Sequence, residues 1–403
     1  MGHGHSHRAG RDHHGDDGVT VARTPRTVLL TILVAVAAAT IAGLVLLWPD
    51  AGKADAITKS VAYAAPGATF PDATVVSVEK PCARDGSGDQ TACGHLSATV
   101  ASGKDTGTKV SVVVPPQVAA AGLSAGDTVQ LLRSPPAQGQ PAQFSYVGTE
   151  RSGPLWVLAI AFALVVVAVA RLRGLLALVG LGVSGVVIWK FVLPALLTGE
   201  SGLLVGLVAS AAIMYVVLYS THGLSMRTSA ALAGTLAGVA ITAGIGVWSV
   251  GATHLTGVDD ESGSVLSGFV NDLGYQGLLT CAIVIAGLGV LNDVTITQAS
   301  AVWELRGAAP EMRRRALFAS GMRIGRDHIA STIYTIVFAY AGAALTVLLV
   351  IQLYDRSLVD LLVTEEIGQE VVRALASSIG LVLAVPLTTA IATLTVPGAR
   401  RRS

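Results

Sequence analysis

The chain has 403 residues, of which 52% are hydrophobic and only 13% charged, with a mean hydropathy of +0.63. Soluble domains carry about 25% charged residues, so a single water-borne globule is excluded and lipid is the expected solvent for most of the chain. A net charge of +1, with only six Lys among the 27 basic residues, lacks the basic excess of a nucleic-acid-binding surface, and no nucleic acid is expected as a partner.

Residues 1–27 are polar, with His3, His5, His7, His13 and His14 among Gly, Asp and Arg, and read as a disordered His-rich tail. Imidazoles there can bind a borderline metal, but a flexible tail supplies no fixed geometry, so no metal site is expected. The apolar run 28–48 exceeds the roughly 7–15 residues of a signal-peptide core and reads as an uncleaved transmembrane anchor. From 49 to 153 Pro, Gly, Asp, Ser and Thr rise, and short alternating runs appear at 73–79, 96–101, 110–114 and 128–132. Four or five such strands predict a small barrel or sandwich, with an oligonucleotide/oligosaccharide-binding (OB)-like barrel as the first choice. Cys82 and Cys93 lie in this segment and form a disulfide if it is exported, free thiols being the alternative.

Seven further apolar spans are expected at about 154–170, 174–196, 202–220, 229–250, 277–299, 330–352 and 372–396. The fold class is therefore an α-helical polytopic membrane protein of about eight transmembrane helices carrying a small β-rich domain. Residues 154–396 form its seven-helix membrane domain and 397–403 a basic tail. A cytoplasmic N-terminus places Arg171, Arg173, Arg227, Arg306, Arg313, Arg314, Arg315, Arg323 and Arg326 inside, and leaves acidic outer loops with Glu200, Glu365, Glu366 and Glu370. The excess of inner basic residues sets both termini in the cytoplasm and 49–153 outside.

No G-x-x-x-x-G-K-[ST], H-E-x-x-H or G-x-S-x-G motif occurs, and neither an enzyme nor a cofactor is expected. The informative run is Leu291 to Ser300, which puts Asn292, Asp293, Thr297 and Gln298 in a segment begun by apolar residues. Counting from Leu278, Asp293 lies about 22 Å into a hydrocarbon core about 30 Å thick. On a helical wheel Ala286, Gly289, Thr297 and Ser300 share its side, and Val284, Leu288 and Leu291 oppose it, which predicts that Asp293 faces packed protein or water. A charge at a helix centre costs about 2.5–3.5 kcal/mol, so it has either a partner or a function, as an ion, proton or solute site.

A second polar cluster, Arg323, Arg326, Asp327 and His328, opens the next span. It reads as a cytoplasmic gate in which Arg323 and Asp327 pair four residues apart, or more plainly as the marker of the membrane boundary. Pro386 interrupts the last span and is followed by Thr388 and Thr389, a pattern shared by broken transporter helices and by ordinary kinks. The Gly pairs 202/206, 234/238 and 321/325 predict close helix approach.

The runs Gly289 to Leu305, Ser320 to Gly342 and Ser377 to Thr389 closely resemble the YibE/F family of bacterial multi-pass membrane proteins, over roughly Leu155 to Val396. The resemblance, of actinobacterial type, implies a bacterial plasma membrane but carries no established activity. Two functions are expected on the residues alone. One is a transporter or permease component for a small solute or ion. The other is a non-catalytic envelope protein whose external β-domain binds a partner or polymer. Besides the bilayer, a second copy of the chain remains an open partner.

Overall fold

The computed structural model describes residues 23–60, 66–79, 94–136, 141–258, 263, 266–268, 273–353 and 357–399. The tail to residue 22, Cys82, Cys93 and residues 400–403 lie outside the described residues. In chain order the structure opens with helices α1 (Arg23–Leu46) and α2 (Ala51–Ser60). Strands β1 (Asp72–Val78), β2 (His95–Val100) and β3 (Lys109–Val113) follow, then the helical turn α3 (Pro116–Ala119) and strands β4 (Thr128–Ser134) and β5 (Gln143–Thr149). The remaining helices are α4 (Ser152–Val187), a π-helix (Ile188–Val192), α5 (Leu193–Leu197), α6 (Gly202–His222) and α7 (Met226–Ala252). After them come α8 (Tyr275–Ala308), α9 (Arg314–Ala343), α10 (Leu345–Leu353), α11 (Leu358–Leu362) and α12 (Glu365–Thr395). Two compact units result, 55–175 and the remainder.

The smaller unit holds the five strands as one antiparallel sheet in the order β3-β2-β1-β4-β5, and β3 also approaches β5, which nearly closes it. Alternation explains the strands: Ala73 and Val75, Leu96, Ala98 and Val100, and Val129 and Leu131 are buried, with more accessible residues between them. Bulges in β1 at Val76 and in β5 at Val147, opposite Gln130 and Leu131, add the local bend that a curling sheet needs. A meander β1-β2-β3 with β4 returning to the other edge of β1 is a Greek-key path. The strand β5 had no run of its own in the sequence reading. Its burial pattern shows why, since Phe144 and Tyr146 are only half-buried and the alternation is shallow.

Six helical runs among the described residues are long and apolar enough to cross a membrane: Thr24–Leu46, Ser152–Leu197, Gly202–His222, Met226–Ala252, Tyr275–Ala308 and Glu365–Thr395. The expected spans 154–170 and 174–196 fall in one of these runs, broken at Arg171, whose backbone leaves the helical region (φ 54°, ψ −132°). The π-helix comes just before Pro194, where the missing N–H disturbs the regular bonding ladder. The expected span 330–352 is divided between the second half of α9 and α10. The first half of α9 carries Arg314, Arg315, Arg323, Arg326 and Asp327, which is why α9 is not among the six.

Helix directions in the larger unit follow from who touches whom. A Cβ on Gly234 of α7 would collide with the hydroxyl of Thr388 on α12, and one on Gly380 of α12 would collide with the hydroxyl of Thr242 on α7. Gly238 sits between them, against Ala384, so α7 and α12 run antiparallel and interlock over two turns. On α8, Leu291 fills the space above Gly238, and the hydroxyls of Thr295 and Thr235 lie 2.6 Å apart, so α8 also opposes α7. Gly321 and Gly325 of α9 abut Thr389 and Val385, again antiparallel. Tyr215 of α6 donates to the Leu33 carbonyl of α1 at 2.6 Å, while Gly202 and Gly206 of α6 lie against Gly277 and Cys281 of α8. Helices α1, α7 and α9 therefore run one way and α6, α8 and α12 the other. All three expected glycine pairs lie at helix contacts.

This close approach predicts that Gly234→Ala or Gly380→Ala costs about 1–3 kcal/mol through overpacking, seen as a lower unfolding midpoint in lipid nanodiscs. Gly244→Ala, where a Cβ meets nothing within 4 Å, leaves the midpoint in place.

Candidate functional site

The interlock fixes the rotation of α8. Its buried side holds Val284, Leu288, Leu291, Val294 and Gln298, while Ala286, Gly289, Asp293 and Thr297 are exposed along the opposite side. Of the two surroundings expected for the small-residue side, packed protein or water, packing within the chain is not what the described residues show, and that side lies open. Leu291 fits over Gly238, so the larger side chains take the interior and the carboxylate faces out, with its side chain 70% exposed. Both sides of a membrane helix tolerate apolar surroundings, and complementarity of fit, not hydrophobicity, selects the packed one.

Among the described residues, Asp293 has one ionisable neighbour within 4 Å. Nε2 of His328, on α9, lies 3.9 Å from Asp293 Oδ2. That is beyond hydrogen-bond length, and the nitrogen, shielded from solvent, has no hydrogen-bond partner among the described residues. Asn292 is half-buried beside them; its side-chain Oδ1 is shielded and unpartnered among the described residues, and its backbone carbonyl accepts from Thr295 at 3.2 Å. Thr297 is exposed one turn along α8.

Gln298 is only 2% exposed, and its Nε2 donates to the Gly321 carbonyl at 2.9 Å and to Thr389 Oγ1 at 2.7 Å. It thus joins α8, α9 and α12. Of the gate residues, only His328 meets the α8 cluster. Arg323 donates to Ser320 Oγ at 2.8 Å, and no ion pair joins it to Asp327 among the described residues. Arg326 and Asp327 are exposed on the outer face of α9.

Three features escaped the sequence reading. Buried hydroxyls of Thr242, Ser377 and Thr388 lack a hydrogen-bond partner among the described residues and lie against glycines of neighbouring helices. The only advance signal was threonine or serine recurring near helical spacing. Arg306, counted merely as an inner basic residue, is 5% exposed and donates to the carbonyls of Pro310 and Met312, closing the turn after α8. At the other end of the bundle Glu365 Oε1 accepts from the Thr256 N–H at 2.7 Å, from its hydroxyl at 2.9 Å and from Gln369 at 2.9 Å. An apolar cleft of about 450 Å³ between α1, α6 and α7 presents only the Thr40 hydroxyl, which bonds its own helix, so it offers nothing to orient a polar solute.

A carboxylate and an imidazole facing each other from adjacent helices, level along the bundle, can share a proton or hold a cation. Among the sequence-predicted site residues, Asp293 and His328 are the ionisable pair that the structure brings together.

Fold and site together define the class: a helical membrane protein with a small β-rich unit and a polar groove between two helices. A family model described as YibE/F-like protein matches residues 158–398, more than half of the chain, and the chain belongs to that family. No curated protein and no solved structure matches it.

Gln298→Leu removes two buried bonds, each worth about 0.5–1.5 kcal/mol, so stability falls by about 1–3 kcal/mol although the Gly321 carbonyl keeps its helical partner. Gln298→Glu loses the donor to both Gly321 and Thr389 and places a carboxylate in the same buried position. Thermal unfolding in nanodiscs should order the proteins wild type, then both variants below it.

Proposed function

We propose that the protein is a permease of the bacterial plasma membrane for a small solute or ion, with no catalytic role. The observation that carries this reading is the Asp293–His328 couple, set on facing helices within the membrane-length part of α8. A carboxylate there is costly unless compensated, and ionisable groups inside a bilayer mark ion and proton paths. Asn292 and Thr297 extend the polar lining on α8, and Arg323, Arg326 and Asp327 stand at the cytoplasmic mouth.

The alternating directions of α1, α6, α7, α8, α9 and α12 support repeated crossing, and the break at Arg171 supports two crossings within Ser152–Leu197. With α9 continued by α10, this makes eight spans, both termini inside and the β-rich unit outside. The basic residues then gather on one side, as insertion favours. The protein reconstituted into liposomes tests the reading. Flux of protons, alkali cations or small anions should fall at least about tenfold on Asp293→Ala, equivalent to about 1.4 kcal/mol in the barrier, and partly persist in His328→Gln. If no flux across that panel responds to Asp293, and deleting the β-rich unit alone removes the cellular phenotype, the second reading, an envelope protein binding through that unit, takes its place.

A further inference from the structure

The outer face of α9 carries exposed charges of both signs. Arg323, Arg326 and Asp327 are exposed on it, and Asp327 precedes His328, which is level with Asp293 on α8. Further along, the same face carries Tyr334 and Phe338, 63% and 71% exposed, with rings stacked at 6.4 Å. Neither Arg326 nor Asp327 joins an ion pair among the described residues. Charges of both signs left without ion-pair partners on one exposed helix face are free to pair across a contact with a second such face.

Resting on the reading that α8 and α9 cross the bilayer, we propose that this face is the interface between two copies of the chain, related by a two-fold axis along the bilayer normal. Such an interface pairs one patch with itself and therefore requires self-complementary charge. The α9 face has it: Arg323 and Arg326 lie within one turn of Asp327, so two α9 helices side by side bring Arg323 of each copy within reach of Asp327 of the other. Tyr334 and Phe338 supply the large rigid anchors that such interfaces use at their centre. On α8, a Cβ at Gly289 meets nothing within 4 Å, so a neighbouring helix can approach beside Asp293. The second copy closes the Asp293–His328 groove on the side that one chain leaves open, and the site is incomplete without it.

The full chain in nanodiscs or liposomes tests this. Tyr334→Cys and Phe338→Cys proteins should form disulfide-linked dimers on mild oxidation, above the background of the unaltered chain. Trp156→Cys, on the exposed apolar surface of α4, should not. Asp327→Arg should weaken self-association by about tenfold or more, and adding Arg323→Asp should restore it, with unfolding midpoints confirming that each variant is folded. A monomer at equal density, cross-linking no better at Tyr334 and Phe338 than at Trp156, or a charge reversal without effect would each overturn the proposal. Flux that depends on Asp293 in a monomeric chain would remove the dimer and leave the permease reading standing. A dimer with no such flux would do the reverse.

Discussion

Two helix backbones can come close only where side chains are missing, and the architecture of the larger unit depends on one such approach. Between helices in lipid there is little hydrophobic gain, because the tails are as apolar as the side chains they replace, and association rests on fit. Helices α7 and α12 meet through Gly234 against Thr388, Gly238 against Ala384 and Gly380 against Thr242. The hydroxyls involved bring their oxygens onto the glycine Cα–H groups of the opposing helix, contacts that are weak singly but recur at helix–helix interfaces. With that spacing set, α8 finds a groove between the two and lays Leu291 over Gly238, and the Thr235–Thr295 hydroxyl pair fixes its height.

The position of the polar groove is a consequence of this packing rather than a separate device. Once Leu291 is inside, a residue two positions on lies about 200° around the helix, so Asp293 is turned outward. The neighbouring helix α9 is joined to the triad through Gln298, which donates to both Gly321 and Thr389. That bond sets the level of α9 against α8 and so brings His328 opposite Asp293. Packing residues and candidate functional residues therefore alternate along one short stretch of α8, with Thr295 and Gln298 inward and Asp293 and Thr297 outward.

Much of this was legible in the chain because lipid and water leave coarse marks on a sequence. Four of the five strands stood out by alternation, and the helices α1, α6, α7, α8 and α12 by uninterrupted apolar length. The groups at 171 and 173 divided the apolar stretch of α4 in the sequence reading, and the helix is kinked at Arg171, whose backbone leaves the helical region. The face of α8 was not legible. A wheel sorts large from small and apolar from polar, and in a soluble helix that suffices, since water rejects the apolar side. In a membrane Val284, Leu288 and Leu291 are at home against lipid or protein, and their burial follows from a glycine at 238 that is distant in sequence. Gln298 illustrates the same limit, since it belonged to the polar cluster by sequence and to the core by structure.

Helix α9 is held differently from its neighbours. Its buried residues are Leu317, Gly321, Gly325, Thr332 and Ile336, a narrow stripe, whereas α12 buries residues along its length from Ile367 to Thr395. Beyond that stripe, α9 is held by the bond from Gln298 to the Gly321 carbonyl, worth about 0.5–1.5 kcal/mol. Segments with few buried contacts are those that shift at least cost, and the Asp293–His328 separation of 3.9 Å is set by such a segment. The groove thus has one firm wall, α8, locked into the interlock of α7 and α12, and one lightly held wall, α9.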